Sequence, residues 1–435
     1  MHASARTRLR AARMAASARA DSSRQLLNPW APARPRTPRP RGASVDRRRP
    51  GHAVDLYMQG ANCRTFAGGL RGGNMVLFTR RVMAAAAVAA LGAGSAQALT
   101  FDLTFTPGTS AIEQASFAAG AAMWSAIFDD DVTVKLTVGT ASLGSGILAQ
   151  AGSRQLSYTY DSFYGALSSD ASSALDNTAV ATLNTGSSFG MLINRTADNP
   201  NGSGSAIAYV DDNGSTNNST VRLTAANARS LGLPFAPGGV GSACTDCDAF
   251  IQFSTNFTWD YDRSNGIGAN DFDFVGIAAH EIGHALGFIS GVDILDGNSP
   301  PVNGPFSSDA FTYVSSMDLF RYSSDSALLG VIDWTADARD KYFSVDGGAT
   351  LGSRFSLGVN FGDGRQASHW KDNLFLGIMD PTSARGELLQ ISSGDVDAFD
   401  VIGWNVAAIP EPSTYALFGA GLGFVGWMTR RRRQA

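Results

Sequence analysis

Between Leu99 and Ile409 the sequence predicts an α+β fold, and three observations carry that prediction. Residues 132–138 alternate apolar and polar side chains, the period of a half-buried strand, and Ala249–Ser254 is a second strand-like run. Residues 111–128 and 273–287 instead repeat their apolar residues at helical spacing. The stretch is about 310 residues long, enough for one large core or two lobes.

What precedes it reads differently. Residues 1–74 hold fifteen arginines, many prolines and three acidic residues, with no sustained apolar period. A basic arm for nucleic acid is one reading of that composition. Residues 75–98 favour another: a short basic start, an alanine-rich apolar run over residues 82–93, and Ala96-Gln97-Ala98 as an A-x-A cleavage site. This is the pattern of a secretory signal peptide, which exports a chain across the inner membrane. Such signals begin at an N-terminus, so residues 1–74 read as a mis-assigned start or a disordered leader, outside the fold.

The formal net charge of the chain is −4, but the basic residues are concentrated at its ends. Residues 99–409 carry thirteen Lys plus Arg against thirty-four Asp plus Glu, a net charge of −21. That balance excludes a nucleic-acid partner. Thirty-one of these acids are Asp, which suits turns and is compatible with Ca2+, although solubility is the commoner reason.

Taken in order, residues 111–128 predict a helix and residues 132–138 a strand. Residues 198–218 form an Asn/Gly/Ser-rich loop whose Asp211-Asp212-Asn213-Gly214 could hold calcium, a polar turn being the plainer reading. Residues 224–231 predict a short helix with Thr224 as N-cap, ended by Gly232 and Pro234. Cys244 and Cys247 are the two cysteines after the signal, and in an exported chain their spacing predicts a local disulfide rather than a redox or zinc half-site.

The next helix carries the chemistry. Asp273 is its expected N-cap, with Ala278, Ile282, Ala285 and Leu286 as the buried stripe. His280 and His284 are four apart, so both rings rise from one face and can grip a single zinc ion. Glu281 sits about 100° round the turn, where it can serve a water at the metal without ligating the metal. Five histidines and four glutamates in 435 residues make a chance H-E-x-x-H rare. Gly283 and Gly287 share the histidine stripe, and each costs about 1 kcal/mol against alanine inside a helix. A close approach by another segment would explain that cost, and Gly287 could also mark the helix end. Residues 291–368 are punctuated by Gly and Asp, with residues 317–322 as one firm segment, and residues 395–404 predict a last short helix.

The run His280-Glu281-Ile282-Gly283-His284-Ala285-Leu286-Gly287-Phe288 resembles the metzincin zinc proteases. Their usual third ligand falls three residues after the glycine, which here is Ser290. The leishmanolysin-like branch is the closer likeness, since it inserts a long segment and supplies its third histidine later, about ten residues before a Met-turn. His369 in Ser-His-Trp-Lys and Met379 in Ile-Met-Asp-Pro match that order. The likeness covers residues 248–404 loosely. It implies a two-lobed zincin-like fold: a twisted sheet and the HExxH helix above, His369 and the Met-turn below.

The resemblance implies zinc on His280, His284 and His369, Met379 supporting the ligands from beneath, and peptide-bond hydrolysis of a protein substrate with Glu281 as general base. Phe250, Ile251, Gln252 and Phe253 are the candidates for pairing with an extended substrate through backbone hydrogen bonds. Asp293 is the alternative third ligand, with Glu113 and Glu387 weaker because of their order in the chain. On this reading His369→Ala abolishes zinc retention, whereas Asp293→Ala and Glu387→Ala leave it intact. Two rival readings stay open: a non-catalytic surface or matrix protein stabilised by zinc, and another metal-dependent hydrolase.

The last segment, residues 410–435, is a separate module. Pro410-Glu411-Pro412 precedes an apolar run over residues 415–428 and then Arg430 to Arg433. It resembles a PEP-CTERM sorting signal. The apolar run is short for a stable span and suits transient membrane association. The resemblance implies an exosortase-type enzyme as partner, removal of the tail, and a cell-surface or extracellular-matrix destination.

Overall fold

The computed structural model describes residues 99–234 and 247–407, together with the backbone of Val54–Asp55. It is a mixed α+β structure with several small sheets. β1 (Thr100–Phe105) runs parallel to β2 (Thr133–Ala141), and helix α1 (Ala111–Ser125) crosses between them. Period two sets the burial of β2: Val134, Leu136 and Val138 are fully buried while Thr133 and Lys135 face solvent. α1 opens on a reciprocal cap, the Ser110 hydroxyl accepting from the Glu113 amide and the Glu113 carboxylate accepting from the Ser110 amide.

β3 (Ala149–Ser153) and β4 (Gln155–Thr159) follow, then helices α2 (Tyr160–Asp170) and α3 (Ala174–Thr182). β5 (Met191–Ile193) and β6 (Tyr209–Asp211) pair antiparallel, and β7 (Thr220–Thr224) pairs with β4. α4 (Ala225–Ser230) is capped as expected, the Thr224 hydroxyl accepting from the Asn227 amide. The predicted loop over residues 198–218 is more ordered than its composition suggests, because it contains β6 and a short helix, Thr216–Ser219. There the Asp211 carboxylate accepts from the Asn217 side chain at 2.9 Å, and Asn213 accepts from the Ser215 amide, which is turn chemistry.

β8 (Ala249–Ser254) has the predicted bounds but not the predicted exposure. It lies between β2 and β3 in the order β1–β2–β8–β3, parallel to β2 and antiparallel to β3. The backbones of Phe250, Ile251, Gln252 and Phe253 are therefore paired on both sides, and no ladder remains there for a substrate strand. The expectation for these four residues is corrected. β3 is the edge strand on that side of the sheet.

α5 (Phe274–Leu286) is buried over all thirteen residues, not along a stripe alone. The Asp273 carboxylate caps its first turn, accepting from the Gly276 amide at 2.8 Å. On one side α1 approaches so closely that a Cβ on Gly120 would lie 2.7 Å from Ala278 Cβ and 3.0 Å from the Ala279 amide nitrogen. Trp124 donates to the Ala279 carbonyl at 2.8 Å, and Phe117 packs edge-on against Phe253 of β8 and Phe274. Trp404, after the last helix, donates to the Leu286 carbonyl at 2.9 Å and so satisfies a carbonyl at the end of α5. Full burial of Phe274, Ile277, Ile282 and Leu286 contributes about 1.5–3 kcal/mol each.

After α5 come α6 (Val292–Gly297), which the sequence reading did not anticipate, and a long irregular stretch. The firm segment at residues 317–322 is a 3-10 turn, Met317–Phe320, followed by the short strand Arg321–Tyr322. α7 (Ser393–Asp400) closes the fold; it starts two residues before the predicted 395–404 helix and ends four residues short of it. Val54–Asp55 pairs antiparallel with Thr382–Ser383, so the leader expected to lie outside the fold has one described strand on it. The predicted signal peptide, Cys244 and the C-terminal tail lie outside the described residues.

Candidate metal centre

One turn of helix separates His280 from His284, which places their Nε2 atoms 3.1 Å apart. His369 arrives from the far end of the long excursion, 85 residues after His284, and brings its own Nε2 to 3.1 Å from that of His284. The three rings form the one His/Cys/Asp/Glu group among the described residues with metal-binding geometry, their ligand atoms all within 4.8 Å. Nitrogens each about 2.0–2.1 Å from one tetrahedral zinc are about 3.3 Å from one another, so the donor set fits zinc.

The opposite ring nitrogens explain why all three Nε2 atoms face inward. His280 Nδ1 lies 2.7 Å from the Ile378 carbonyl, His284 Nδ1 2.7 Å from the Phe288 carbonyl, and His369 Nδ1 3.3 Å from the Gln366 carbonyl. A carbonyl only accepts, so each Nδ1 carries the proton and each Nε2 presents a lone pair. The Phe288 carbonyl reaches back because the chain reverses at Gly287, whose φ of +130° is open to glycine. Three converging lone pairs repel one another without a cation between them. Burial lowers His280 to about 4. His284 and His369 are held well below the ordinary value, first by burial and then by neighbouring imidazoles.

Glu281 follows His280 on α5. Its carboxylate is fully buried, and neither oxygen has a hydrogen-bond partner. Burial pushes its carboxyl well above the usual range. A buried carboxyl without a hydrogen-bond partner is costly, so Glu281 calls for an explanation other than folding.

Met379 explains Gly283. A Cβ on Gly283 would sit 2.5 Å from Met379 Sδ, so the expected close approach exists on the histidine side of α5. Met379 is held by its backbone: its carbonyl accepts from the Trp370 amide at 3.0 Å, and its amide donates to Asp395 at 3.3 Å. Asp395 also accepts from the Ile378 amide and the Trp370 indole, both at 2.8 Å. In the sequence Asp395 marks only a helix start. Its signal was the Ser392-x-x-Asp395 capping box, which marks the start but not the reach across to Ile378.

Ser290, at the usual third-ligand spacing, donates to Asp318 at 2.6 Å and is committed to that buried carboxylate. Asp293, the alternative ligand, is not in the metal-binding group. It is buried and accepts from the Ala367 amide, the Ser368 amide and the Ser368 hydroxyl. Asp293 thus grips the residues just before His369. Glu113 is spent on its helix cap, and Glu387 accepts from the exposed Ala384 amide. Cys247 is disulfide-bonded.

Residues 408–433 match the PEP-CTERM protein-sorting motif. That motif implies recognition by an exosortase-type sorting enzyme and an exported protein destined for the cell surface. No curated protein and no solved structure matches the chain. Among the described residues no helix is long and apolar enough to cross a membrane.

Proposed function

We propose that the chain is a zinc-dependent endopeptidase of the metzincin type, close to the leishmanolysin-like branch, acting at the cell surface or in the extracellular matrix. The observation that carries this reading is the convergence of three Nε2 atoms, joined to a fully buried, unpartnered carboxylate on Glu281, the residue that follows the first histidine. Bound zinc would supply a water of lowered pKa and polarise the scissile carbonyl. His280, His284 and His369 would hold the ion and leave one position open. Glu281 would take the attacking water's proton on a carboxylate oxygen and deliver it to the leaving amine nitrogen. Met379 would hold the ring cluster from below and take no chemical part. Burial of the whole group excludes bulk water, which strengthens every electrostatic interaction inside it.

That same burial favours the rival reading, a structural zinc site in a non-catalytic surface protein. A structural site closes with four protein ligands, however, and has no use for an unligated Glu281. Metal analysis of the purified protein is expected to find one zinc per chain. Hydrolysis of an unfolded protein substrate is expected to stop on chelation and return with added zinc. Zinc binding without hydrolysis would establish the structural reading, and chelator-resistant hydrolysis would remove the metal mechanism.

A further inference from the structure

His369 is the one ligand not carried by α5, and its neighbours in sequence are held by groups far away in the chain. Asp293 Oδ1 accepts from the Ala367 amide at 2.7 Å and Oδ2 from the Ser368 amide at 3.1 Å. The Ser368 hydroxyl donates to the same Oδ2 and in turn accepts from the Ser290 amide at 3.0 Å. The Ala367 carbonyl accepts from the buried Arg321, which is ion-paired to Asp318 at 3.4 Å. On the other side, the His369 carbonyl accepts from the Ser356 amide at 3.0 Å. Asp293, Ser368 and His369 are all buried.

We infer that the Asp293 carboxylate, gripping Ala367 and Ser368, is the positioning group that fixes His369 against the two helix histidines. Ser290 and Asp293 lie just past the end of α5, so the grip ties the distant ligand to the end of the helix that carries the other two. A long insertion between ligands would otherwise leave the third free to drift, and metal affinity depends on all three converging. Asp293 does not touch the metal position; it acts through the backbone of the His369 segment. This inference rests on the zinc reading proposed above.

α6 supplies its own control. Asp296, in the same helix, is equally buried and accepts from the Asn360 and Phe361 amides at 2.8 and 2.9 Å, holding a loop that carries no ligand. The experiment measures zinc affinity by chelator competition on the full chain, with wild type, Asp293→Asn, Ser368→Ala and Asp296→Asn in parallel. Asp293→Asn is expected to weaken zinc binding about 10–100-fold, as loss of a group that orients a ligand does. Ser368→Ala, which removes one of the three bonds to Asp293 and the acceptor of the Ser290 amide, is expected to weaken it about tenfold or less. Asp296→Asn is expected to lower the melting temperature of the metal-free protein while leaving zinc affinity within about threefold of wild type. A general loss of stability would instead weaken zinc equally in Asp293→Asn and Asp296→Asn, and that result overturns the inference. So does wild-type affinity in both Asp293→Asn and Ser368→Ala. If Asp293→Asn does not fold, Ser368→Ala against Asp296→Asn decides the matter. A wild-type chain that binds no zinc removes the proposed function and this inference with it, whereas a zinc-binding wild type with an unaffected Asp293→Asn removes the inference alone.

Discussion

Glu281 is the residue whose surroundings make least sense unless a reaction uses it. A charged carboxylate with two unpartnered oxygens is expensive to bury, and a core helix would be better served there by glutamine. Glu281→Gln keeps the shape and removes both the charge and the proton acceptor. It is expected to retain zinc, to melt no lower than wild type in the metal-free state, and to lose about 10²–10⁴-fold in hydrolysis. Parental activity in the Gln variant would show that another group moves the proton. His369→Ala tests the other half of the site. It leaves two histidines on α5 and deletes the ligand that arrives from outside the helix. Zinc is expected to be lost on gel filtration while far-ultraviolet circular dichroism stays close to wild type. A variant that keeps one zinc tightly would mean that a fourth group, not His369, completes the site.

At the scale of elements, the features legible in the sequence were those whose cause is local. Asp273 caps α5, Gly287 ends it, Thr224 caps α4, and Ala249–Ser254 has the bounds read from its residues, because caps and periods act within one turn or one strand. What depended on the far ends of the chain was not legible. β8 is a good strand in isolation, and nothing in Phe250-Ile251-Gln252-Phe253 says that β3 will cover its second edge. Asp293 reads as a free carboxylate until Ser368, 75 residues away, is placed against it. Helix packing follows the same division, and glycine shows it in opposite directions. Gly120→Ala would push a methyl into the backbone of α5, 3.0 Å from both the Ala279 nitrogen and the Val275 carbonyl oxygen, where nothing can give way. Overpacking of this kind costs about 1–3 kcal/mol, more than the roughly 1 kcal/mol that alanine gains in helix propensity. Gly165, within α2, has nothing within 4 Å of its would-be Cβ. Urea unfolding is therefore expected to show Gly120→Ala less stable than wild type and Gly165→Ala more stable by about 0.5–1 kcal/mol. Equal shifts in both would mean that α1 and α5 are not in close contact.

Across the whole molecule, a net charge of −21 over residues 99–409 opposes the compact state, and the opposition is concentrated where acids are buried together. Asp130, Asp170, Asp176 and Asp400 gather where the α2–α3 junction meets the C-terminal segment, bridged by Ser172, Ser173 and Asn405. Ser173 donates its amide to Asp176 at 2.9 Å and its hydroxyl to Asp400 at 2.8 Å, while Asn405 donates to Asp130 at 3.0 Å and to Asp170 at 3.3 Å. Asp176 Oδ1 and Asp400 Oδ1 have no hydrogen-bond partner. Asp130, Asp170 and Asp400 are each raised to about 6, burial being the first cause and neighbouring carboxylates a further one. The sign follows from the ordinary value of 3.8: an acid with a raised folded pKa favours folding fully below pH 3.8 and loses that contribution as the pH climbs through 6. At pH 7 the ionised cluster thus weakens the fold. Asp400→Asn keeps an acceptor for the Ser173 hydroxyl and puts an amide donor where Oδ1 had no partner. The variant is expected to be more stable than wild type by about 1–2 kcal/mol at pH 7, after allowance for solvent screening. The advantage should shrink through pH 6 and 5 and vanish near pH 4, where the wild-type carboxyl is itself neutral. The buried histidines, held below their ordinary value, add a pH dependence of their own, but equally in both proteins, so it cancels in the difference. Urea midpoints measured from pH 4 to 7 on both proteins, in the same metal-free buffer, give that difference directly. A gap that does not change with pH, or a wild type that is the more stable at pH 7, would show that the four acids do not repel one another in the folded chain.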